Sequence, residues 1–576
     1  MLTDKINEYF KLPIFFNQHK VKINENIIKD LELVESIDIS SNSIYTYCFD
    51  NDNILSINLN KQVSDYYTTD IDFLKEYQTL LKNYKFNEVK YTDYSKNYKN
   101  ILDIWNELKS VSTGFFEKYY LIEWDCLQFL NRSEWFLQIL SLFNMLSPIL
   151  SLLIPIIILI IPFFIIKIKG LEITINEYIN ILKLVANQNA IGKLFVVDFN
   201  EINLQEKFYI LVSAAFYLFS IYQNFMVCIR FNNNMKQIHN YFNEIHIYID
   251  YTIKSMENYI VSSETLINDA HIKFNNILKD KLVQLQKLQN KIEKISDYNM
   301  FNFSKVSEVG YVLKCFYELH MDDIYNEAIL YSLGFNSYID CLKGLQNNLL
   351  DGKINIASFV AEKKQTIFED SYYPCLKYSN PVKNTIKLNK NIIITGPNAS
   401  GKTTVLKTTL INILFTQQFG CGFYKNAYLK PFQHIHCYLN IPDTSGRDSL
   451  FQAEARRCKE MLDCIKCSSK DETHFCAFDE LYSGTNPEEA EQSATSFMKY
   501  ITKHKNVSCI LTTHFIKVCK KLNEQKNIAN YKMLTINEDN CLKYEYKLER
   551  GISNVKGGIL VLKQLNYPDE IVKTFL

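Results

Sequence analysis

The sequence predicts a C-terminal α/β P-loop domain, preceded by a mainly helical region that a two-helix transmembrane hairpin interrupts. Three observations carry this reading. A glycine-rich loop sits between a β-branched strand and a helix, two later apolar strands end in polar side chains, and two long runs lack charge.

The loop lies in Asn391 to Thr404. The β-branched run Ile392 to Thr395 is a buried strand by composition, and it feeds into Gly396-x-x-x-x-Gly401-Lys402-Thr403, followed by helix formers. Gly396, Pro397, Asn398, Ala399, Ser400 and Gly401 form the loop proper. Glycines at its two ends permit backbone angles and close approach that a Cβ would block, so successive N–H groups can face one anion-sized cavity. Lys402 is then placed to reach the β and γ phosphates of ATP, Thr403 to ligate Mg²⁺, and the helix starting near Lys402 to present its positive end to the nucleotide, with Thr404 in its first turn.

Downstream, His-Phe-Cys-Ala-Phe-Asp-Glu at His474 to Glu480 is an apolar strand ending in two carboxylates. Asp479 is expected to hold the Mg²⁺ shell and Glu480 to polarise an attacking water. Ile510-Leu511-Thr512-Thr513-His514-Phe515 is a third strand, and His514 falls where such ATPases carry a γ-phosphate sensor.

Together these residues resemble the MutS DNA mismatch-repair ATPases. Gly396-Pro397-Asn398 with Gly401-Lys402-Thr403-Thr404 looks like that family's phosphate loop, and Thr513-His514-Phe515 resembles its Thr-His-Tyr/Phe switch. Asp479-Glu480-Leu481 with Gly484-Thr485 is similar to its Asp-Glu-Leu-Gly-Arg-Gly-Thr run, although Tyr482 and Ser483 stand where Gly and Arg are usual. Ser445-Gly446-Arg447 and then Ser449-x-Phe451-x-x-Glu454 look like its signature segment, which implies that Ser449 reaches a partner's nucleotide across a dimer. Asn384 sits like the family's adenine-side Asn, and Tyr546-Lys547-Leu548, Gly551, Ser553 and Gly558 are similar to its tail, with Lys556-Gly557 replacing a Ser-Tyr pair. The resemblance spans about residues 373–576 and implies an ABC-type ATPase domain, ATP and Mg²⁺ as ligands, a homodimer, and duplex or mismatched DNA as a partner.

Composition bounds the remainder. With 63 basic and 63 acidic side chains, the chain has no overall electrostatic footprint for nucleic acid, and 47% apolar residues suffice for several cores. Fifteen cysteines without framework spacing, and a polar start at Met1 to Phe10, are expected of reduced thiols facing the cytosol. Cys458, Met461, Cys464 and Cys467 read as a helical packing stripe, with zinc as the alternative.

In order along the chain, residues 1–135 are mixed short strands and helices without a catalytic constellation. The family's Phe-x-Glu triplet occurs at Phe115, but also at Phe86, Phe199, Phe242, Phe316 and Phe478, so it carries no information. Residues 136–230 form the hairpin. Phe136 to Ile166 is uncharged and long enough for a hydrocarbon core of roughly 30 Å, despite Pro148, Pro155 and Pro162. Phe208 to Ile229, between Lys207 and Arg230, is a second span or else a buried core helix, since Ser213, Ser220, Gln223 and Asn224 interrupt it. Two spans put both flanks on one side, which ATP makes cytosolic. Residues 231–372 are helical; Leu278, Leu285 and Ile292 repeat at heptad spacing with Leu288 and Ile295 in the complementary positions. This coiled-coil-like region is either a helical pair packed on itself or the family's DNA lever and clamp. Residues 373–576 complete the ATPase domain. Three functions compete: ATP-coupled DNA binding, a membrane-bound mechanochemical ATPase without DNA recognition, and an ABC transporter. The last is weakened by two spans rather than six and by the lack of a Leu-Ser-Gly-Gly-Gln signature.

Overall fold

The computed structural model describes residues 2–38, 40–85, 98–109, 114–170, 174–188, 192–193, 203–295, 306–360, 365–439, 441, 449–538, 541–555 and 567–568. The chain divides into two compact units: one of Met1–Tyr98, Thr252–Val283 and Ala328–Leu576, the other of Lys99–Tyr251 and Gln284–Glu327.

The first unit is organised by a six-stranded sheet of β1 (Asn391–Thr395), β2 (His434–Tyr438), β3 (His474–Asp479), β4 (Val507–Thr513), β5 (Ile528–Glu538) and β6 (Cys541–Arg550), in the order β2-β3-β4-β1-β5-β6. All neighbours are parallel except the β5–β6 hairpin. Parallel strands need helical crossovers that cover both faces, which is why β1 and the body of β3 are buried along their lengths and read as unbroken apolar runs. The helices α1 (Lys402–Phe419), α2 (Leu450–Cys467), α3 (Pro487–Ile501) and α4 (Ile516–Leu522) supply that cover. Ile393, Cys476, Phe478, Leu511, Ala494, Met498 and Val518 are among the side chains of one core.

Helix α1 is buried along almost its whole length, so its polar side chains need internal partners. Residues near the N-terminus provide them. Gln418 donates to the carbonyls of Val63 and Tyr66 and accepts from Tyr45 Oη at 3.0 Å, while Gln417 donates to Thr68 O and Phe432 O. Gln78 reciprocates by bonding the carbonyls of Ala357 and Gly420. Residues 1–98 therefore fold with the C-terminal sheet, whereas residues 99–135 fall in the other unit; sequence pattern carries no mark of that division.

The second unit is helical. Its 35-residue helix Glu134–Ile168 begins at a Ser133 cap, and the 59-residue helix Leu204–Ser262 begins beyond the connecting segment. Tyr217 Oη donates to Ser151 O at 2.9 Å and Cys228 Sγ lies 3.5 Å from Met145 O, so the two helices pack side by side and run in opposite directions. Among the described residues, two helices are long and apolar enough to cross a membrane, Glu134–Leu153 and Leu204–Ser262, and only 28% and 6% of their apolar windows are buried. Phe208, Phe216, Leu218 and Phe225 are exposed, so the second run is not a core helix of this chain. Phe115 stacks on His320 at 3.9 Å inside the unit's core, which accounts for that Phe-x-Glu triplet as packing. Leu278, Leu285, Leu288 and Ile292 are all buried on the Asp269–Ile292 helix, and Gln289 Nε2 lies 3.5 Å from Asp250 Oδ1.

Candidate functional site

Strands β1, β3 and β4 end side by side, and their ends carry the side chains singled out above. The alignment is a matter of register: Asp479 pairs with Thr512, and Thr513 pairs with Thr395, which opens directly into the Gly396–Lys402 loop. In open α/β sheets the carboxyl ends of the strands are where ligands bind, because the helix N-termini converge there.

Gly401 precedes α1 with φ of +92°, a conformation that disfavours any Cβ. A Cβ on Gly396 would come within 2.7 Å of Ser400 Oγ, so the loop closes only because that position is glycine. Ala399 also takes a positive φ, of 62°. Ser400 Oγ is buried with no hydrogen-bond partner among the described residues. A buried hydroxyl without a partner costs roughly 1–3 kcal/mol, so this one is poised for an acceptor such as phosphate.

Lys402 is 5% exposed and its ammonium folds back on the loop, donating to Gly396 O at 3.0 Å and Pro397 O at 3.2 Å. Burial pulls its pKa below the ordinary lysine value, and the nearby carboxylates of Glu480 and Asp479 oppose that shift. Thr403 Oγ1 donates to Asp479 Oδ2 at 2.9 Å, and Thr512 Oγ1 donates to the other carboxylate oxygen. Hydroxyl and carboxylate thus stand within reach of one small cation. Glu480 follows with φ of 51°, and Oε1 lies 3.3 Å from His514 Nδ1 and 3.9 Å from Lys402 Nζ. The hydrogen bond from His514, then its charge and that of Lys402, hold the Glu480 carboxyl below its usual range against the opposing effect of burial.

Seven of the predicted residues therefore meet in one place: Gly396, Gly401, Lys402, Thr403, Asp479, Glu480 and His514. Pro397 and Ser400 complete the buried part of the loop, and Asn398 and Ala399 are exposed at its tip. Beside it a cavity of about 290 Å³ is lined by Tyr372, Tyr373, Val382, Asn384, Thr404 and Tyr546, among others. Asn384 lines the cavity, and its amide is already engaged, donating to Tyr546 O and accepting from Leu548 N. The aromatic walls carry no sequence signal of their own; only the resemblance of the Tyr546-Lys547-Leu548 tail points towards them.

Ser449 does not join this group. It caps α2, its hydroxyl accepting from Gln452 N while Gln452 Oε1 accepts from Ser449 N. Ser445, Gly446 and Arg447, like Lys556, Gly557 and Gly558, lie outside the described residues. Glu454 belongs to the signature-like segment, but the resemblance assigns it no role. It is buried, and its carboxylate accepts from Ser483 Oγ at 3.0 Å and Gly484 N at 3.2 Å, tying α2 to the loop that follows Glu480. Tyr482, which takes φ of 60°, packs on Phe451 and Phe497 and donates its N–H to Tyr438 Oη. The Tyr-Ser pair at 482–483 is thus absorbed into the core and the Glu454 contact.

Comparison with known proteins bears on the same segment. Residues 392–575 match the family model for MutS domain V. The DNA mismatch repair protein MutS of Persephonella marina is 26% identical over 211 residues, which is 36% of this chain and 24% of that protein. That of Clostridium perfringens is 26% identical over 250 residues, 41% of this chain and 26% of that protein. That of Prochlorococcus marinus (strain MIT 9301) is 30% identical over 187 residues, 32% of this chain and 20% of that protein. The chain spans about a quarter of the length of these curated relatives. Its C-terminal α/β domain is MutS-like.

Proposed function

We propose that this chain is a MutS-like, Mg²⁺-dependent ATPase of the P-loop, ABC-type class, anchored in a membrane by a two-helix hairpin and acting as a homodimer. The observation that carries the reading is the meeting of Thr403, Asp479, Glu480 and Lys402 at the strand ends, with distances of 2.9 Å for Thr403–Asp479 and 3.9 Å for Lys402–Glu480. The loop amides and Lys402 bind the β and γ phosphates, and Ser400 Oγ finds its missing acceptor there. Tyr546 and Tyr373 offer the base two aromatic walls. Thr403 and Asp479 hold Mg²⁺, which when bound supplies charge neutralisation on the transferred phosphoryl group. Glu480 orients water for in-line attack and takes up its proton, while His514 fixes the carboxylate.

The MutS likeness supports coupling of ATP to duplex or mismatched DNA. A second reading, a membrane mechanochemical ATPase without DNA recognition, is favoured by one observation: the balance of 63 basic against 63 acidic side chains. The hairpin reading rests on the exposed apolar helices and sets the N- and C-terminal regions on the cytosolic side, where ATP is. The test combines ATP hydrolysis with titration of duplex DNA at several salt concentrations. Mg²⁺-dependent turnover that Lys402→Ala abolishes supports the ATPase, and its absence refutes it. A salt-dependent DNA affinity supports the first reading; none at low salt leaves the second.

A further inference from the structure

The end of the sheet remote from the Gly396–Lys402 loop carries a second cluster of chemistry-bearing side chains. His434 and His474 are the first residues of β2 and β3 and are register partners. Their imidazoles stack, with centroids 4.5 Å apart and planes 16° from parallel. Cys464 reaches them from the last turn of α2, its Sγ 3.8 Å from His434 Nδ1. One donor atom from each of His434, Cys464 and His474 lies within 4.8 Å of the others.

This set differs from the packing stripe expected of the α2 cysteines. Cys458, Met461 and Ile465 form the buried face of the helix, whereas Cys464 is only half-buried and Cys467 is exposed. The polar surroundings of His434 are those that a ligating histidine requires. Glu472 Oε2 sits 2.8 Å from His434 Nε2, so the carboxylate accepts a hydrogen bond from Nε2–H in the tautomer that leaves the Nδ1 lone pair free on the side of the sulfur. His474 is held at Nδ1 by His436 at 3.1 Å and at Nε2 by Ser468 Oγ at 2.7 Å. Of these two partners the serine hydroxyl, one rotatable bond from its backbone, is the one that can yield the nitrogen to an ion.

We propose that His434, Cys464 and His474 bind a zinc-class divalent ion, with Glu472 orienting His434 and water in the fourth position. Metal–sulfur and metal–nitrogen bonds of roughly 2.3 and 2.1 Å put tetrahedral donors about 3.6 Å apart. The Cys464–His434 separation of 3.8 Å already matches that edge. The His474 donor is brought in by opening the ring stack. Two imidazoles and a thiolate favour zinc over magnesium or calcium. Binding displaces the Cys464 thiol proton to solvent; both imidazoles enter neutral, and nothing is oxidised or reduced. The ion pins the C-terminal end of α2 to the starts of β2 and β3. The proposal is independent of the nucleotide reading, because its residues lie at the opposite strand ends.

The test uses the full-length chain in detergent, stripped with chelator under a non-thiol reductant and titrated with Co²⁺ and then Zn²⁺. One equivalent of Co²⁺ should give tetrahedral visible bands and a near-ultraviolet thiolate charge-transfer band, both erased by Zn²⁺. Cys464→Ser should remove the charge-transfer band, and both it and His434→Gln should weaken Zn²⁺ binding by about tenfold or more. Cys126→Ser, in the other unit, should change neither. Far-UV circular dichroism of the metal-free variants checks that they fold. Absence of stoichiometric binding by the wild-type chain overturns the proposal, as does a thiolate band that survives Cys464→Ser.

Discussion

Glu480→Gln separates binding from turnover more cleanly than any other change at the strand ends. The amide keeps the size and reach of the side chain and removes its charge. In the protein Glu480 Oε1 faces His514 Nδ1 at 3.3 Å and Lys402 Nζ at 3.9 Å, and these neighbours keep the carboxyl ionised at neutral pH. An amide cannot accept a proton from water, and loss of a positioned general base typically slows a reaction by about 10²–10⁴-fold, or roughly 3–5 kcal/mol in the barrier. Binding should respond in the other direction. Lys402 keeps Asp479 as its remaining acidic neighbour and loses a competitor for its ammonium, so triphosphate affinity is unchanged or tighter. Phosphate release at saturating Mg²⁺-ATP, read beside titration with a fluorescent nucleotide, measures the two effects separately. Wild-type turnover in the variant would falsify the base assignment. Loss of nucleotide binding would show instead that Glu480 builds the loop.

Three further outcomes follow from other parts of the chain. Ile157→Arg places a charge on an exposed apolar position of the Glu134–Ile168 helix, which on insertion scales costs roughly 2.5–3.5 kcal/mol at a span centre; integration should fall, and wild-type protein released intact by carbonate washing would remove the hairpin. If two chains build each site, Lys402→Ala and Ser449→Gly, each inactive alone, should recover activity when mixed. Glycine is the better test than alanine because Ser449 caps α2 and Gly preserves a cap to within a few tenths of a kcal/mol; silence despite mixed dimers would refute the shared site. His271 is buried and stacked on Phe73 at 4.7 Å, and burial pulls its pKa down to about 4. The unfolded chain then binds the proton more readily, so stability is whole above about pH 6.5 and declines towards pH 4 by roughly 3 kcal/mol. His271→Leu should flatten that part of a denaturation series across pH, and an unaltered slope would show that other groups carry it.

The local parts of the site were open to reading because they are local in sequence. Gly396, Gly401 and Lys402 belong to one strand–loop–helix, and Asp479–Glu480 and Thr513–His514 are ends of single apolar runs, so spacing and residue type sufficed. The two long uncharged stretches were equally evident, because hydrocarbon-length apolarity is a property of composition. What the sequence could not give depends on neighbours that crossover connections choose. In a parallel sheet the residue beside His434 is His474, 40 positions away by number, and only the register makes them touch. The same holds for Cys464, which helix-compatible spacing places in a packing stripe, whereas the buried face of the helix against the strands falls on Cys458, Met461 and Ile465. Gln417 and Gln418 look like surface polar residues at a helix end; the carbonyls of Thr68, Val63 and Tyr66 that satisfy them come from more than three hundred residues earlier. Residue type and short-range spacing thus determined where the strand–loop–helix, the strand-end carboxylates and the long apolar runs lie, whereas tertiary structure alone decided which distant side chains share a wall, a carboxylate or a sulfur, because burial and register are settled only when the whole chain has packed.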